Sequence, residues 1–136
     1  MTTDGGTILL VEDEPILRQV FRTMLEAAGY RVSEAGSARE AIETAGRIQP
    51  ALVLLDLGLP DAPGLDVARA IRSIPGAAKP RIVALTGRSG AEIRAGIRAA
   101  GCIAHLVKPV EPGELLRRIP EWLADPATGD PAASPA

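Results

Sequence analysis

Apolar residues gather in five short runs along the chain: TILLV at 7–11, YRVSEA at 30–35, ALVLLD at 51–56, RIVALT at 81–86 and IAHLV at 103–107. Within them ILLV, LVLL and IVAL are apolar at every position, as strands buried on both faces are. YRVSEA alternates, the pattern of an edge strand with one wet face. Between the runs the apolar spacing lengthens from two residues to three and four. Leu17, Val20, Phe21, Met24, Leu25 and Ala28 form one stripe and predict a helix over 14–28 that stops at Gly29. Ser37, with Glu40 three residues on, is a capping-box pattern opening a helix over 38–46. Leu65, Ala68 and Ile71 predict a helix over 65–73, and Ile93 and Ile97 one over 90–100 that ends at Gly101. A last helix over 112–124 follows from Leu115, Leu116, Ile119 and Trp122, with Pro120 expected to kink or split it.

Five alternations of strand and helix predict an α/β fold, a parallel sheet covered by helices on both faces. A doubly wound five-stranded sheet of order 2-1-3-4-5, the flavodoxin-like arrangement, puts the alternating second strand at an edge. It puts the continuously apolar first, third and fourth strands inside. With 136 residues the chain is one domain's worth, able to bury roughly two-thirds of its unfolded surface. One Trp, one Tyr and one Phe make that core aliphatic. The domain is expected over 7–124, with a flexible start at 1–6 and a disordered Pro- and Ala-rich tail at 125–136.

A formal net charge of −2 without a Lys/Arg cluster argues against a nucleic-acid surface. A single cysteine, Cys102, excludes an internal disulfide and reads as a small buried residue. MTTDGGT has no leader pattern, and no apolar run approaches the roughly 18 residues of a membrane span. The expectation is a cytoplasmic protein with no membrane partner.

Candidate chemistry lies where the strands end, since open α/β sheets bind ligands outside the carboxyl ends of their strands. There the first strand meets Glu12-Asp13-Glu14, the third ends in Asp56, the fourth in Thr86-Gly87 and the fifth in Lys108-Pro109. Glu12, Asp13 and Glu14 alone would suit an acidic turn at a helix N-terminus. With Asp56 beside them, crowded carboxylates would hold protons unless a cation compensates. Oxygen ligands without His or Cys suit Mg²⁺ or Mn²⁺. Lys108 can pair with Asp56 and with a phosphoryl oxygen, the Thr86 hydroxyl can donate, and Gly87 leaves space. Together these groups form a phosphoryl-transfer site in which Asp56 is the natural nucleophile.

The acidic pair in LLVEDEP, the D-x-x-x-P-x-x-x-G spacing of LLDLGLPDAPG, ALTG, and LVKPV occur in that order. In these the chain resembles, from 7 to 124, the receiver domain of two-component response regulators. The resemblance implies that Asp56 accepts a phosphoryl group from a phosphohistidine on a histidine kinase or histidine phosphotransfer protein. It implies Mg²⁺ held by Glu12, Asp13, Asp56 and the backbone carbonyl of Gly58, with Lys108 on the phosphoryl group. Thr86 would move toward that group and signal to a face built from the fourth helix, fifth strand and fifth helix. It also suggests a cis bond between Lys108 and Pro109. Such a protein is a self-phosphorylating and self-dephosphorylating signalling module rather than a turnover enzyme.

Three positions depart from, or vary within, the family pattern. His105 stands three residues before Lys108, where an aromatic switch residue is usual; it is either the switch or an edge-strand residue without coupling. Gly58 and Arg88 flank the phosphoryl position, and Gly87 lies between Thr86 and Arg88. Gly58 favours fast hydrolysis and Arg88 persistence, so lifetime stays open. Pro15, Ile16 and Leu17 open the first helix beside the acidic pair, an apolar patch suited, with Pro109, to a helical phosphodonor. The favoured reading is a stand-alone receiver whose output is a downstream protein; an excised receiver of a hybrid kinase is the same domain in another setting. A homodimer is left open. A phosphorylation-independent scaffold is one alternative. The other is a small aspartyl-phosphate phosphatase, which would usually carry a second Asp where Gly58 stands.

Overall fold

The computed structural model describes residues 6–75 and 80–124. Ten elements alternate along it: β1 (Thr7–Val11), α1 (Pro15–Ala27), β2 (Arg31–Ala35), α2 (Ala38–Ile48), β3 (Leu52–Asp56), α3 (Gly64–Arg72), β4 (Arg81–Thr86), α4 (Ala91–Ala99), β5 (Ala104–Val107) and α5 (Pro112–Ala124). All strand pairs are parallel, in the order β2-β1-β3-β4-β5. This is the doubly wound topology expected from the alternation of patterns. The tail at 125–136 and residues 1–5 lie outside the described residues.

Strand alternation divides the core in two. Leu9, Val11, Val53, Leu55, Ile82 and Ala84 point to one face and pack with Ala41, Ala45, Val67, Ala68, Ile71 and Ile97 of α2, α3 and α4. Ile8, Leu10, Leu52, Leu54, Val83 and Leu85 point the other way, against Phe21 and Leu25 of α1 and Leu115, Ile119 and Trp122 of α5. Both faces of β1, β3 and β4 are thus covered, which is why their sequences do not alternate. Register pairs Val11 with Leu55, Leu55 with Ala84, and Thr86 with Val107, so the carboxyl ends of these strands finish side by side.

Local chemistry accounts for several boundaries. Ser37 Oγ accepts the Glu40 amide at 3.2 Å, while Glu40 Oε1 reaches back to the Gly36 amide at 2.8 Å, one residue earlier than in a standard capping box. A second cap comes from outside the helix: Asp61 accepts the Ala38 and Arg39 amides at 2.8 and 3.1 Å. Those two bonds hold its carboxyl below the usual carboxylate range. α2 continues two residues past the expected end, to Ile48, and Gln49 stops it in the left-handed conformation (φ 49°). α5 is one continuous helix with Pro120 inside it, so the expected split does not occur. Pro120 lies on the exposed side, and Ile119 and Trp122 hold the helix to the sheet. The Lys108–Pro109 bond is cis. Among the described residues no helix is long and apolar enough to cross a membrane.

Candidate functional site

Four of the five strands deliver a polar side chain to one rim. β1 hands over to Glu12, whose amide donates to the β2 residue Ala35 at 3.0 Å. β3 ends on Asp56 itself, and the Leu57 amide continues the ladder to Leu85 of β4 at 2.9 Å. β4 ends on Thr86, whose carbonyl accepts the Lys108 amide beyond β5 at 2.7 Å. Backbone ladders thereby fix Glu12, Asp13, Asp56, Thr86 and Lys108 together, although sequence separates them widely.

The geometry is that of a buried anionic pocket with one internal cation. Glu12 and Asp56 are 1% and 2% exposed, far below what unpaired carboxylates tolerate, while Asp13 is half-buried. Lys108 Nζ lies 2.9 Å from Asp56 Oδ1 and 3.7 Å from Glu12 Oε1. The Gly58 amide donates to the same Asp56 Oδ1 at 2.9 Å. Glu12 Oε2 accepts the Glu14 amide at 3.1 Å, but Glu12 Oε1 is buried with no hydrogen-bond partner. Burial pushes the Glu12 carboxyl up to about 7, the Asp56 charge adding to it against the Glu14 hydrogen bond. For Lys108 burial acts downward, yet the Asp56 hydrogen bond and charge, with Glu12 and Asp13 behind them, leave its ammonium raised.

Glu12, Asp13 and Asp56 each present a carboxylate oxygen within 4.8 Å of the others. An oxygen-only donor set containing an orphaned buried oxygen fits a hard divalent cation, and this cluster could hold one. Thr86 Oγ1 accepts the Arg88 amide at 3.0 Å, which leaves its own proton to donate elsewhere. Gly87 has nothing within 4 Å of where a Cβ would stand, and a Cβ on Gly58 would meet Asp56 Oδ1 at an ordinary 3.5 Å. Neither glycine is therefore forced by sterics, whereas Gly64 is: a Cβ there would lie 2.4 Å from the Leu57 Cα. His105 is half-buried on β5, paired with Ala84, and shares the sheet face of Thr86. Cys102 is buried, and burial pushes its thiol up to about 12.

Beside the rim, Leu17, Phe21, Leu85, Lys108, Pro109 and Val110 line a cleft of about 350 Å³. Ile16 and Val20 flank it on α1, 78% and 46% exposed, and Pro15 is exposed as well. Sequence reasoning did not single out Arg18, whose Nη1 donates to the Glu12 carbonyl at 2.7 Å, or its partner Glu34. Arg18 is an arginine one position past the apolar stripe, and Glu34 one polar residue of an alternating strand. No local pattern pairs them; only the placement of α1 against β2 does.

A model of the response regulator receiver domain matches residues 8–120. Polar-differentiation response regulator DivK of Brucella ovis is 29% identical over 119 residues, 88% of this chain and 97% of that one. The KDP operon transcriptional regulatory protein KdpE of Escherichia coli is 38% identical over 115 residues, 82% of this chain; the chain spans about half its length, 48%. Among solved structures, the receiver domain of sensor histidine kinase PA1611 from Pseudomonas aeruginosa PAO1 superposes with a TM-score of 0.79. It is 33% identical, covering 89% of this chain and 99% of that one, and it has a magnesium ion coordinated in its active site cleft. Fold and match together define the class: a CheY-like receiver of two-component signalling. The chain belongs to the response regulator receiver domain family.

Proposed function

We propose that this receiver accepts a phosphoryl group from a phosphohistidine onto Asp56, in a reaction that depends on a divalent cation. The observation behind this reading is Asp56 itself, a buried carboxylate whose Oδ1 is held by both Lys108 and the Gly58 amide. That leaves Oδ2 as the oxygen uncommitted to either and available for in-line attack. As Asp56 attacks phosphorus, the P–N bond breaks and the imidazole leaves with its electron pair, taking a proton from solvent. Lys108 stays paired through the step and meets the negative charge of the incoming group. Thr86 turns its free hydroxyl proton to a phosphoryl oxygen. Glu12, Asp13 and Asp56, with the Gly58 carbonyl, would hold Mg²⁺ or Mn²⁺, which when bound supplies charge neutralisation for the transferring phosphoryl group.

The donor in this reading is a histidine kinase or histidine phosphotransfer protein. Pro15, Ile16, Leu17 and Pro109, around the cleft beside the rim, suit an apolar helix of that donor. Output goes to a downstream protein through the face built from α4, β5 and α5, where Val107 is exposed. Incubation with Mg²⁺ and acetyl phosphate, read by intact mass, tests the reaction. The wild type gains about 80 Da, while EDTA or Asp56→Asn abolishes the gain. A chain that stays unmodified with small donors and with a phosphorylated donor protein is a scaffold instead.

A further inference from the structure

Arg18 has no place in the chemistry above, yet its side chain is hydrogen-bonded to the backbone of a candidate cation ligand. Its Nη1 donates to the Glu12 carbonyl at 2.7 Å, and its Nε donates to Glu34 Oε1 at 2.9 Å. Glu34 is held in turn by Arg22, one turn along α1. The peptide that joins Glu12 to Asp13 is therefore gripped from the side by a guanidinium whose own orientation is fixed. The preceding amide, that of Glu12, is fixed separately on Ala35. Glycine makes room for the grip: a Cβ on Gly36 would lie 2.8 Å from Arg18 Nη1.

We propose that Arg18 is a positioning residue for divalent-cation binding. It sets the Glu12–Asp13 peptide so that both carboxylates point into the pocket, and Glu34 and Gly36 set Arg18. The inference rests on the reading that the cation sits among Glu12, Asp13 and Asp56. Lysine cannot replace it, because one ammonium has no planar fork to span a carbonyl and a carboxylate. A purely electrostatic role and a positioning role predict opposite signs here. Removing a cation near a metal site relieves repulsion and tightens binding if charge alone matters. Losing the grip on the ligand peptide weakens binding, and outer partners of metal ligands typically govern about 10–100-fold in affinity.

The test is Mn²⁺ affinity of the whole protein, read from the free-ion electron paramagnetic resonance signal, with Mg²⁺ as competitor. Arg18→Met should weaken Mn²⁺ binding on the order of tenfold, and saturating Mg²⁺ should restore the rate of phosphorylation by acetyl phosphate. Gly36→Ala keeps every charge and only displaces the guanidinium; it should weaken binding in the same direction by a smaller factor. It also carries the test if Arg18→Met fails to fold in EDTA. Unchanged or tighter binding in the folded variants overturns the proposal. Wild-type protein that binds no Mn²⁺, or Asp13→Asn that binds as well as wild type, removes the metal-site reading itself and the proposal with it.

Discussion

Charge at single residues explains how two nearly inaccessible carboxylates persist at the end of a hydrophobic sheet. Asp56 has an ammonium and an amide on one oxygen; Glu12 has an amide on one oxygen and an orphan on the other. Glu34 solves the same problem on the surface of β2. Burial acts to raise its carboxyl, but hydrogen bonds and charge from Arg22 and Arg18 outweigh this and hold it below the usual carboxylate range. A depressed acid stabilises the fold above its ordinary value near 4.5 and loses that contribution as pH falls through the folded-state value. Thermal unfolding should therefore show a stability loss on acidification below about pH 4.5 that Glu34→Gln flattens. Solvent screening keeps the effect within about 1 kcal/mol. The candidate carboxylates, Thr86 and Lys108 were legible because each closes an apolar run, and a polar residue there has few structural reasons to exist. The bonds of Arg18 to the Glu12 carbonyl and Glu34, and of Asp61 to the Ala38 and Arg39 amides, were not, because they form between separate elements and no local pattern marks them.

Elements place these residues through loops that tolerate little change. The segment from Leu57 to Pro63 carries Gly58, passes Asp61 to the α2 N-terminus, and closes where Gly64 packs on Leu57. A methyl group on Gly64 has to push against backbone, so Gly64→Ala should cost about 1–3 kcal/mol in denaturant unfolding. It should also slow phosphorylation, since Leu57 is bonded directly to Asp56. Gly87→Ala, in open space, should leave stability unchanged and provides the control. Strand and helix existence followed from periodicity, and the ends moved by only a residue or two. α5 is the instructive exception. Proline chemistry alone predicts a break, but the buried side chains of Leu115, Ile119 and Trp122 share one face, and packing on the sheet keeps the helix whole.

For the molecule as a whole, the sheet order was readable because burial differs between strands. An alternating β2 and continuously apolar β1, β3 and β4 permit few arrangements, and the doubly wound order is the one that places each correctly. That order creates the rim, since it sets the ends of β1, β3 and β4 side by side. The two cores share the central strands, so a cavity in one should be felt throughout. Leu54→Ala is expected to cost about 2–5 kcal/mol in a single transition, followed by the fluorescence of Trp122, the sole tryptophan, in the same cluster. The arrangement of rim, cation pocket and apolar cleft leads to one chemical event at one atom, a phosphoryl group on the Asp56 carboxylate. Borohydride reduction of protein treated with Mg²⁺ and acetyl phosphate, followed by peptide sequencing, locates that event. Homoserine at position 56, absent without Mg²⁺, is the predicted result; phosphate retained in Asp56→Asn, or homoserine at any other aspartate, would contradict it.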